Sequence, residues 1–442
     1  MIRNYDDLAV SDRHRVALDA IEQGIQATVP AAILDRKVSV SDGVLDVSGN
    51  RYDLDTYDEV VLLGGGNAAA RIAAEFEARF GEILSGGAVV TDDLTAVDGL
   101  EVLSGSHPLP DKRGSENTCA VLDIARGADE NTLVIALVAG GASALLAAPT
   151  ADISIEDLRA TTTALLESGA EIREINTVRR HLSDVKGGQL AQAAAPADVV
   201  GFLFSDVVGN DPSAIGSGPT VPDETSYADA VEVVERYDLD VPDAVSAHLE
   251  AGVGGARAET PDCDAPLFER VTNVVLVDGF DAIEAARNAV AKHGYAPLVL
   301  ASRVRGEARE AGTFHTAIAE ECRATGNPVR PPAVLISGGE TTVTVRGDGV
   351  GGPNQEFALA ASLELSAADV VVAAVDTDGI DGATDAAGAI VDADTATPDT
   401  VAREALDRND VAPVLAERDA LVRTGPTGTN VSDLRVVVIG EA

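Results

Sequence analysis

Four glycine-rich segments sit at the edges of apolar runs: Gly64-Gly65-Gly66-Asn67-Ala68, Ala139-Gly140-Gly141-Ala142-Ser143, Lys186-Gly187-Gly188 and Ser337-Gly338-Gly339-Glu340. Glycine lets backbone N–H groups approach an anion closely, and a following helix N-terminus adds partial positive charge. The chemistry that suits this pattern is the handling of phosphate. Any one such loop also reads as an ordinary strand-to-helix turn; four in one acidic chain favour a ligand.

The charged residues add to this. Arg179, Arg180 and Lys186 fall in one short stretch with Ser183 between them, in a chain with only four lysines (Lys37, Lys112, Lys186, Lys292). The planar fork of arginine suits a carboxylate or phosphate, and a lysine beside Gly187-Gly188 supplies a point charge at a close backbone approach. The plainer alternative is pairing with surface acids. Asp206, Asp211, Asp378 and Asp381 lie in expected loops after strands, where a hard Mg²⁺ finds oxygen ligands, or where a carboxylate caps a turn or helix. His107 and His181 are candidates for substrate binding, against the plainer reading that a lone His is structural, which for His107 means polar loop scaffolding. No G-x-x-x-x-G-K-[ST], no H-E-x-x-H and no His/Cys cluster occurs, which sets aside a P-loop enzyme and a zinc hydrolase. Gly64, Gly66 and Ala69 satisfy G-x-G-x-x-[GA], and Asp92 or Asp93 follows the next strand run. A nicotinamide-dependent hydroxyacid reductase is therefore a rival, with a longer spacing to those acids than the usual separation of about 20 residues.

These residues need elements to hold them. A helix is expected from about Ser11 to Thr28, then strand-like runs Val38–Leu45, Glu59–Leu63, Gly87–Thr91, Leu133–Val138 and Val199–Ser205 alternate with helical runs. Such alternation builds a parallel, doubly wound sheet of Rossmann-like type. Residues 222 to 265 turn rich in Asp, Pro and Gly, and a second set of strands and helices begins at Val271, with a hairpin-like Thr341–Val345. The expected domains are 1–240 and 266–442, joined by a junction at 241–265; both are α/β, the second more mixed. Ligands in such sheets sit at the carboxyl ends of strands, where the glycine loops fall. Because both halves contribute glycine loops, the ligand is expected between them.

At 442 residues, 45% of them hydrophobic, the chain can bury two cores. Its formal charge is −41, from 73 acidic and 32 basic residues, and the acids are dispersed as on a carboxylate-clothed globular surface. This composition resembles that of proteins from salt-accumulating cells, where molar salt shortens the Debye length to a few ångströms. With no basic stripe, nucleic acid is an unsuitable partner. Cys119, Cys263 and Cys322 have neither CxxC nor ligand spacing, and their odd number fits buried thiols in a reducing cytosol better than a disulfide framework. The acidic first residues do not read as a signal peptide, and no segment reads as a membrane anchor.

Longer strings point to a family. Ser106-His107-Pro108-Leu109-Pro110-Asp111, Ile175-Asn176-Thr177-Val178-Arg179-Arg180-His181-Leu182-Ser183 with Lys186-Gly187-Gly188, Ser205-Asp206-Val207-Val208-Gly209 with Asp211, and Ser217-Gly218-Pro219-Thr220 resemble the N-terminal domain of type II glycerate kinases. Ser337-Gly338-Gly339-Glu340-Thr341-Thr342, Asn354-Gln355-Glu356, Thr377-Asp378-Gly379-Ile380-Asp381-Gly382 and Thr424-Gly425-Pro426-Thr427-Gly428-Thr429-Asn430 resemble its C-terminal MOFRL domain. The strings run in order along nearly the whole chain, and the acidic composition adds a halophilic archaeal character.

The resemblance implies ATP-dependent phosphorylation of D-glycerate at its 2-hydroxyl, giving 2-phosphoglycerate, with Mg²⁺. On this reading Lys186, Asp206 and Arg179 are catalytic. Gly64, Gly65, Gly66, Asn67, Gly140, Gly141, Ser143, Gly187, Gly188, Gly338, Gly339, Glu340 and Asn354 bind the nucleotide, and Asp206, Asp211, Asp378 and Asp381 hold the metal. The partner is a small hydroxy acid, the compartment is the cytoplasm, and a homodimer is compatible with the resemblance. Two cations of the family pattern are replaced: Gly66-Asn67-Ala68 stands for Gly-Lys-Ala, and Gly352-Pro353-Asn354-Gln355-Glu356 for Gly-Arg-Asn-Gln-Glu. Ala139, Ala142 and Asn210 are smaller departures. A kinase of another hydroxy acid and a non-catalytic sensor on the kinase fold stay open beside the reductase.

The surface reading carries its own prediction. With −41 of formal charge unscreened in dilute buffer, the protein is expected to lose structure or aggregate as KCl falls from molar to millimolar. Circular dichroism melting across a salt series checks this; an unchanged midpoint refutes it.

Overall fold

The computed structural model describes residues 1–150, 152–366 and 369–441. They form two compact units: a continuous one, Ile33–Leu276, and a split one made of Met1–Ala32 and the chain from Val277 onward.

The continuous unit is built on a six-stranded sheet. Along it lie Glu101–Ser104, Gly86–Thr91, Glu59–Gly65, Thr132–Val138, Asp198–Phe204 and Val271–Val277, in that spatial order. The first five pair in parallel. Numbered by chain position these six strands run 3-2-1-4-5-6, the doubly wound order, whose direction reverses between Glu59–Gly65 and Thr132–Val138. Thr132–Val138 is buried at every position, as a central parallel strand must be. The run read as one strand, Val38–Leu45, is instead two. Asp42 and Gly43 adopt positive φ (52° and 74°) and fold Val38–Ser41 back on Val44–Val47, with Asn50–Asp53 completing a separate antiparallel meander. An Asp-Gly pair between apolar residues is a strong hairpin signal, and here it outweighs the continuous pattern.

The split unit has a mixed sheet in the order Ala296–Val304, Ala333–Gly339, Asp433–Ile439, Val370–Asp376, Gly388–Val391, Leu421–Val422. Only its first pair is parallel. Thr341–Val345 forms no hairpin; Thr342 makes an isolated bridge to Glu307.

The unit boundaries differ from those expected. The helix Asp12–Thr28, capped by Ser11, belongs with the C-terminal residues. Its apolar face, including Leu18, Ile21 and Ile25, packs on the helix Gly279–Lys292 and on the strand Asp433–Ile439. Strand Val271–Val277, read as the start of the second set, is the edge of the first sheet, and the supposed junction 241–265 lies inside the continuous unit. An amphipathic period specifies a helix with one buried face and leaves open which sheet receives it. Of the three cysteines only Cys322 is buried; Cys119 and Cys263 are exposed free thiols. Among the described residues no helix is long and apolar enough to cross a membrane.

The seat of the first helix is tight. A methyl group on Gly24 would lie 2.4 Å from Leu434 Cδ2 and 3.1 Å from the Ala282 carbonyl oxygen. Gly24→Ala is therefore expected to destabilise the protein by about 1–3 kcal/mol through overpacking. Urea unfolding in molar KCl reads this as a lower midpoint at constant slope.

Candidate active site

At the reversal point of the continuous unit two glycine turns meet. Gly64 and Gly66 have φ of 147° and 143°. A Cβ on Gly64 would stand 1.8 Å from the Leu137 carbonyl oxygen, and one on Gly66 would stand 2.8 Å from the Ala139 side chain. These glycines let the chain ends of the neighbouring strands close on one another. Asn67 N–H then donates to the Gly140 carbonyl (2.8 Å), and the Thr91 hydroxyl donates to the Asn67 carbonyl (3.0 Å). The turn that follows Thr132–Val138 is Gly140-Gly141, with Gly141 left-handed at φ 81°. The space where side chains would stand there is filled: Asp206 Oδ2 lies 2.5 Å from a Cβ on Gly140, and Asn67 Oδ1 1.7 Å from one on Gly141, with His107 Cδ2 at 3.2 Å. Asn67, His107 and Asp206 thus converge on one turn. Burial pushes the Asp206 carboxyl up to about 6.

Next to this turn is a pocket lined by Ser143, Ala144, Leu158, Thr162, Arg179 and Lys186, with Pro108 and Pro110 at its rim. Lys186 is 2% exposed and has no carboxylate partner among the described residues. Its ammonium donates to the carbonyls of Ser143 (2.8 Å) and Leu146 (3.1 Å), at the end of the short helix Ala142–Leu145. Burial, and then the positive charges of Arg179 and Arg180, push it down to about 7. Arg179, half-buried, makes no hydrogen bond or ion pair among the described residues, and desolvation lowers its pKa. Arg180, one residue on, is structural: it is buried, bonded to Asp223 Oδ1 (2.9 Å) and to the Ser213 carbonyl (2.6 Å).

Two groups outside the expected site residues, Ser217 and Asn176, hold the Ser143 side chain from behind. Ser143 donates to Ser217 (2.8 Å), which donates to Asn176 Oδ1 (3.0 Å). Ser217 is a non-glycine residue at φ 64°, between Gly216 and Gly218 at 58° and 67°. Backbone strain of this kind collects at functional sites. Its sequence signal is the Gly-Ser-Gly run itself.

Other nominated residues have different work. Gly187 and Gly188 N–H groups donate to the Ser217 and Gly218 carbonyls (3.1 and 2.8 Å), and a Cβ on Gly188 would overlap Phe268. They serve packing and leave no N–H for an anion. Asp211 accepts from Ser213 N–H and hydroxyl (3.0 and 2.8 Å) and faces Arg173, so it caps a turn.

In the split unit, Asp381 is buried and accepts from the backbone N–H groups of Asn354 (3.0 Å) and Gln355 (2.9 Å). It caps the helix Pro353–Glu364, whose first residue, Pro353, is already fixed for that position. Burial still raises its carboxyl to about 6. Asn354 links Asp381 to Asp433 (Nδ2 to Asp433 Oδ1, 2.6 Å), and Asp433 is paired with the fully buried Arg435. Gly338 and Gly339 close on the Asp433 and Val304 carbonyls, while Glu340 is exposed at the end of their strand. Asp378 faces Asp376, whose carboxylate accepts the Asp378 N–H (3.0 Å). Burial and the neighbouring charges of Asp378 and Asp433 hold Asp376 well above the usual carboxylate range, and burial raises Asp378. Among the described residues no three His, Cys, Asp or Glu side chains are grouped to bind a metal. The two carboxylates Asp376 and Asp378 nonetheless suit Mg²⁺, which keeps waters and is commonly held by one or two carboxylates and substrate phosphates.

The comparisons with known proteins agree with this architecture. The family described as a domain of unknown function, DUF4147, matches residues 16–250, and the MOFRL family matches residues 333–433. A glycerate 2-kinase of Pyrococcus horikoshii is 37% identical over 97% of this chain and 98% of its own length. The chain belongs to the type II glycerate kinase family. A crystal structure of the Thermotoga maritima glycerate kinase superposes with a TM-score of 0.84 at 34% identity, over 96% of this chain and 99% of that one. An Agrobacterium vitis protein 42% identical over 86% of this chain and 87% of its own carries the provisional name hydroxypyruvate reductase.

The raised Asp206 carboxyl has a measurable consequence. A carboxyl that titrates near 6 when folded and near 3.8 when unfolded favours folding while protonated, and this contribution is lost as pH rises between those values. Asp206→Asn is expected to raise the unfolding free energy at pH 8 by up to about 3 kcal/mol, and to leave it unchanged at pH 4. Denaturant titrations at the two pH values read the difference.

Proposed function

We propose that this protein transfers the γ-phosphoryl group of ATP to the 2-hydroxyl of D-glycerate. The observation that carries the reading is a guanidinium and an ammonium, Arg179 and Lys186, lining one pocket with no carboxylate of the described residues paired to either, in a chain of 73 acids and 32 bases. Such a pair awaits an anion. Phosphoryl transfer depends on positioning and charge neutralisation, and each group has a part in it. Arg179 takes the substrate carboxylate or a phosphate oxygen in its fork. Lys186 bears on the transferring phosphoryl group, and the bound anion restores its charge near neutral pH. Asp206, beside the Gly140-Gly141 turn, accepts the hydroxyl proton, a task that its value of about 6 suits. The reaction calls for Mg²⁺ to neutralise phosphate charge, and within the split unit Asp376 and Asp378 are the carboxylate pair that would suit such an ion.

A second reading, the nicotinamide-dependent reductase, draws on the Agrobacterium name and on the Gly64-x-Gly66-x-x-Ala69 turn. Its ribose-binding acid would follow the Gly86–Thr91 strand, but of the two candidates there Asp93 is ion-paired with Arg71 (2.5 Å) and Asp92 is exposed. That pairing favours the kinase.

Purified protein in molar KCl with Mg²⁺, ATP and D-glycerate is expected to form ADP and 2-phosphoglycerate, and to leave NADH unoxidised with hydroxypyruvate. Lys186→Met should lower kcat/KM by about 10²- to 10³-fold, the cost of one electrostatic contact to the transition state. Asn67→Lys with Pro353→Arg, which restores both cations of the family pattern, should raise it, each single change doing less. A wild type that is already fast and is slowed by the double change would show that the family cations have been replaced from elsewhere.

A further inference from the structure

The helix Ile172–His181 and the loop after it have a second use. Arg179 and Lys186 line the pocket described above, whereas Arg180, His181, Ser183, Asp184 and Gln189 line a separate cavity of about 380 Å³ in the same continuous unit. The two pockets share no lining residue. The far wall of this cavity is formed by Tyr227, His248, residues 256–258 and Thr260, with Thr150 at one side.

Part of the lining is already satisfied and acts as a frame. His248 Nε2 bonds the His181 carbonyl (2.9 Å), so that nitrogen carries the proton and Nδ1 accepts from the Thr150 hydroxyl (3.4 Å). The Tyr227 ring is held edge-on to His181, with centroids 4.7 Å apart, and 5.7 Å from His248. Gln189 Nε2 donates to the carbonyl oxygens of Ser183 and Lys186. Arg257 pairs with Asp152 through one terminal nitrogen.

What the frame presents has no partner among the described residues. The Tyr227 hydroxyl, on a residue 5% exposed, makes no hydrogen bond; neither do the Asp184 carboxylate, Gln189 Oε1 and the second terminal nitrogen of Arg257. A phenol held this rigidly inside a polar cavity and left unbonded is a group prepared for a ligand. The chemistry of that ligand follows from the set. Asp184 and Gln189 Oε1 accept, so they require hydroxyl or amine protons. Arg257 requires an anionic oxygen, and Tyr227 serves either way. A phosphate would be repelled by Asp184, and an amine by Arg257 and Arg180. Hydroxyls along a short chain that ends in a carboxylate satisfy all four, and the volume lies within the range of small-molecule sites.

We propose that this cavity is a second binding site, for a polyhydroxylated carboxylic acid of four to six carbons, in which Asp184 and Gln189 accept from its hydroxyls, Arg257 binds its carboxylate and Tyr227 bonds a central oxygen. The site stands independently of the phosphoryl-transfer reading.

Isothermal titration calorimetry of the full chain in molar KCl, with D-gluconate and L-threonate as probes and glucitol as the uncharged control, tests it. Saturable binding of at least one acid is expected, at least tenfold tighter than glucitol. Tyr227→Phe, Asp184→Asn and Arg257→Gln should each weaken it at least tenfold while their thermal midpoints stay at the wild-type value. Tyr227→Phe keeps the ring packing, and Arg257→Gln lies in an exposed segment, so loss of binding by misfolding is distinguishable. No saturable heat with either acid, or binding unchanged in all three variants, overturns the proposal.

Discussion

The buried ammonium of Lys186 is the constraint around which the pocket is organised. A charge taken out of water without a counter-charge is costly unless dipoles replace the lost solvent. Here the carbonyls of Ser143 and Leu146 do so, at the end of a short helix where the local dipole favours a cation. For those carbonyls to reach Lys186, the chain must turn sharply after Thr132–Val138, which Gly140 and Gly141 permit. The loop 183–189 must be pinned as well, which the bonds from Gly187 and Gly188 to Ser217 and Gly218 achieve. The strained Ser217 follows from this pinning, and its hydroxyl passes the order on to Ser143 and Asn176.

Much of this was legible in the residues. The turns at Gly64–Gly66 and Gly140-Gly141 could be read because a strand fully buried on both faces is a continuous apolar run, and a glycine at its end marks where a side chain would collide. The doubly wound class followed from the alternation. Lys186 stood out because lysine is scarce here. What could not be read is how each carboxylate is used. Asp381 sits in a loop that suits a metal ligand, yet the N–H groups it caps belong to Asn354 and Gln355, and nothing local brings them there. The roles of Asp211 and Asp381 were settled by the donors that reach them. Asp376, which closes the strand Val370–Asp376, has no local signal of its own, since what sets its role is the Asp378 that its side chain faces.

The same limit explains the glycines. Gly187 and Gly188 have the composition of an anion loop and serve close packing, because their N–H groups find carbonyls before any ligand could reach them. A glycine-rich string reports that backbone comes near something; the nature of that neighbour is a tertiary fact. Asn67 illustrates the converse, since its backbone holds the turn together whatever side chain it carries.

The pairing of the Asp12–Thr28 helix with the strand Asp433–Ile439 bears on how the protein is made. The continuous unit is in effect an insertion, and the helix leaves the ribosome some 400 residues before the strand that covers it. At ordinary elongation rates of 5–20 residues per second, that interval is on the order of 20 to 80 s. For the first part of it, until the helix Gly279–Lys292 follows some 250 residues on, Leu18, Ile21 and Ile25 have no native cover, and the inserted unit, complete by Leu276, can by then have folded. Biogenesis thus orders the two units in time: the middle of the chain matures first, and the first helix gains the last of its cover only once Asp433–Ile439 has been made.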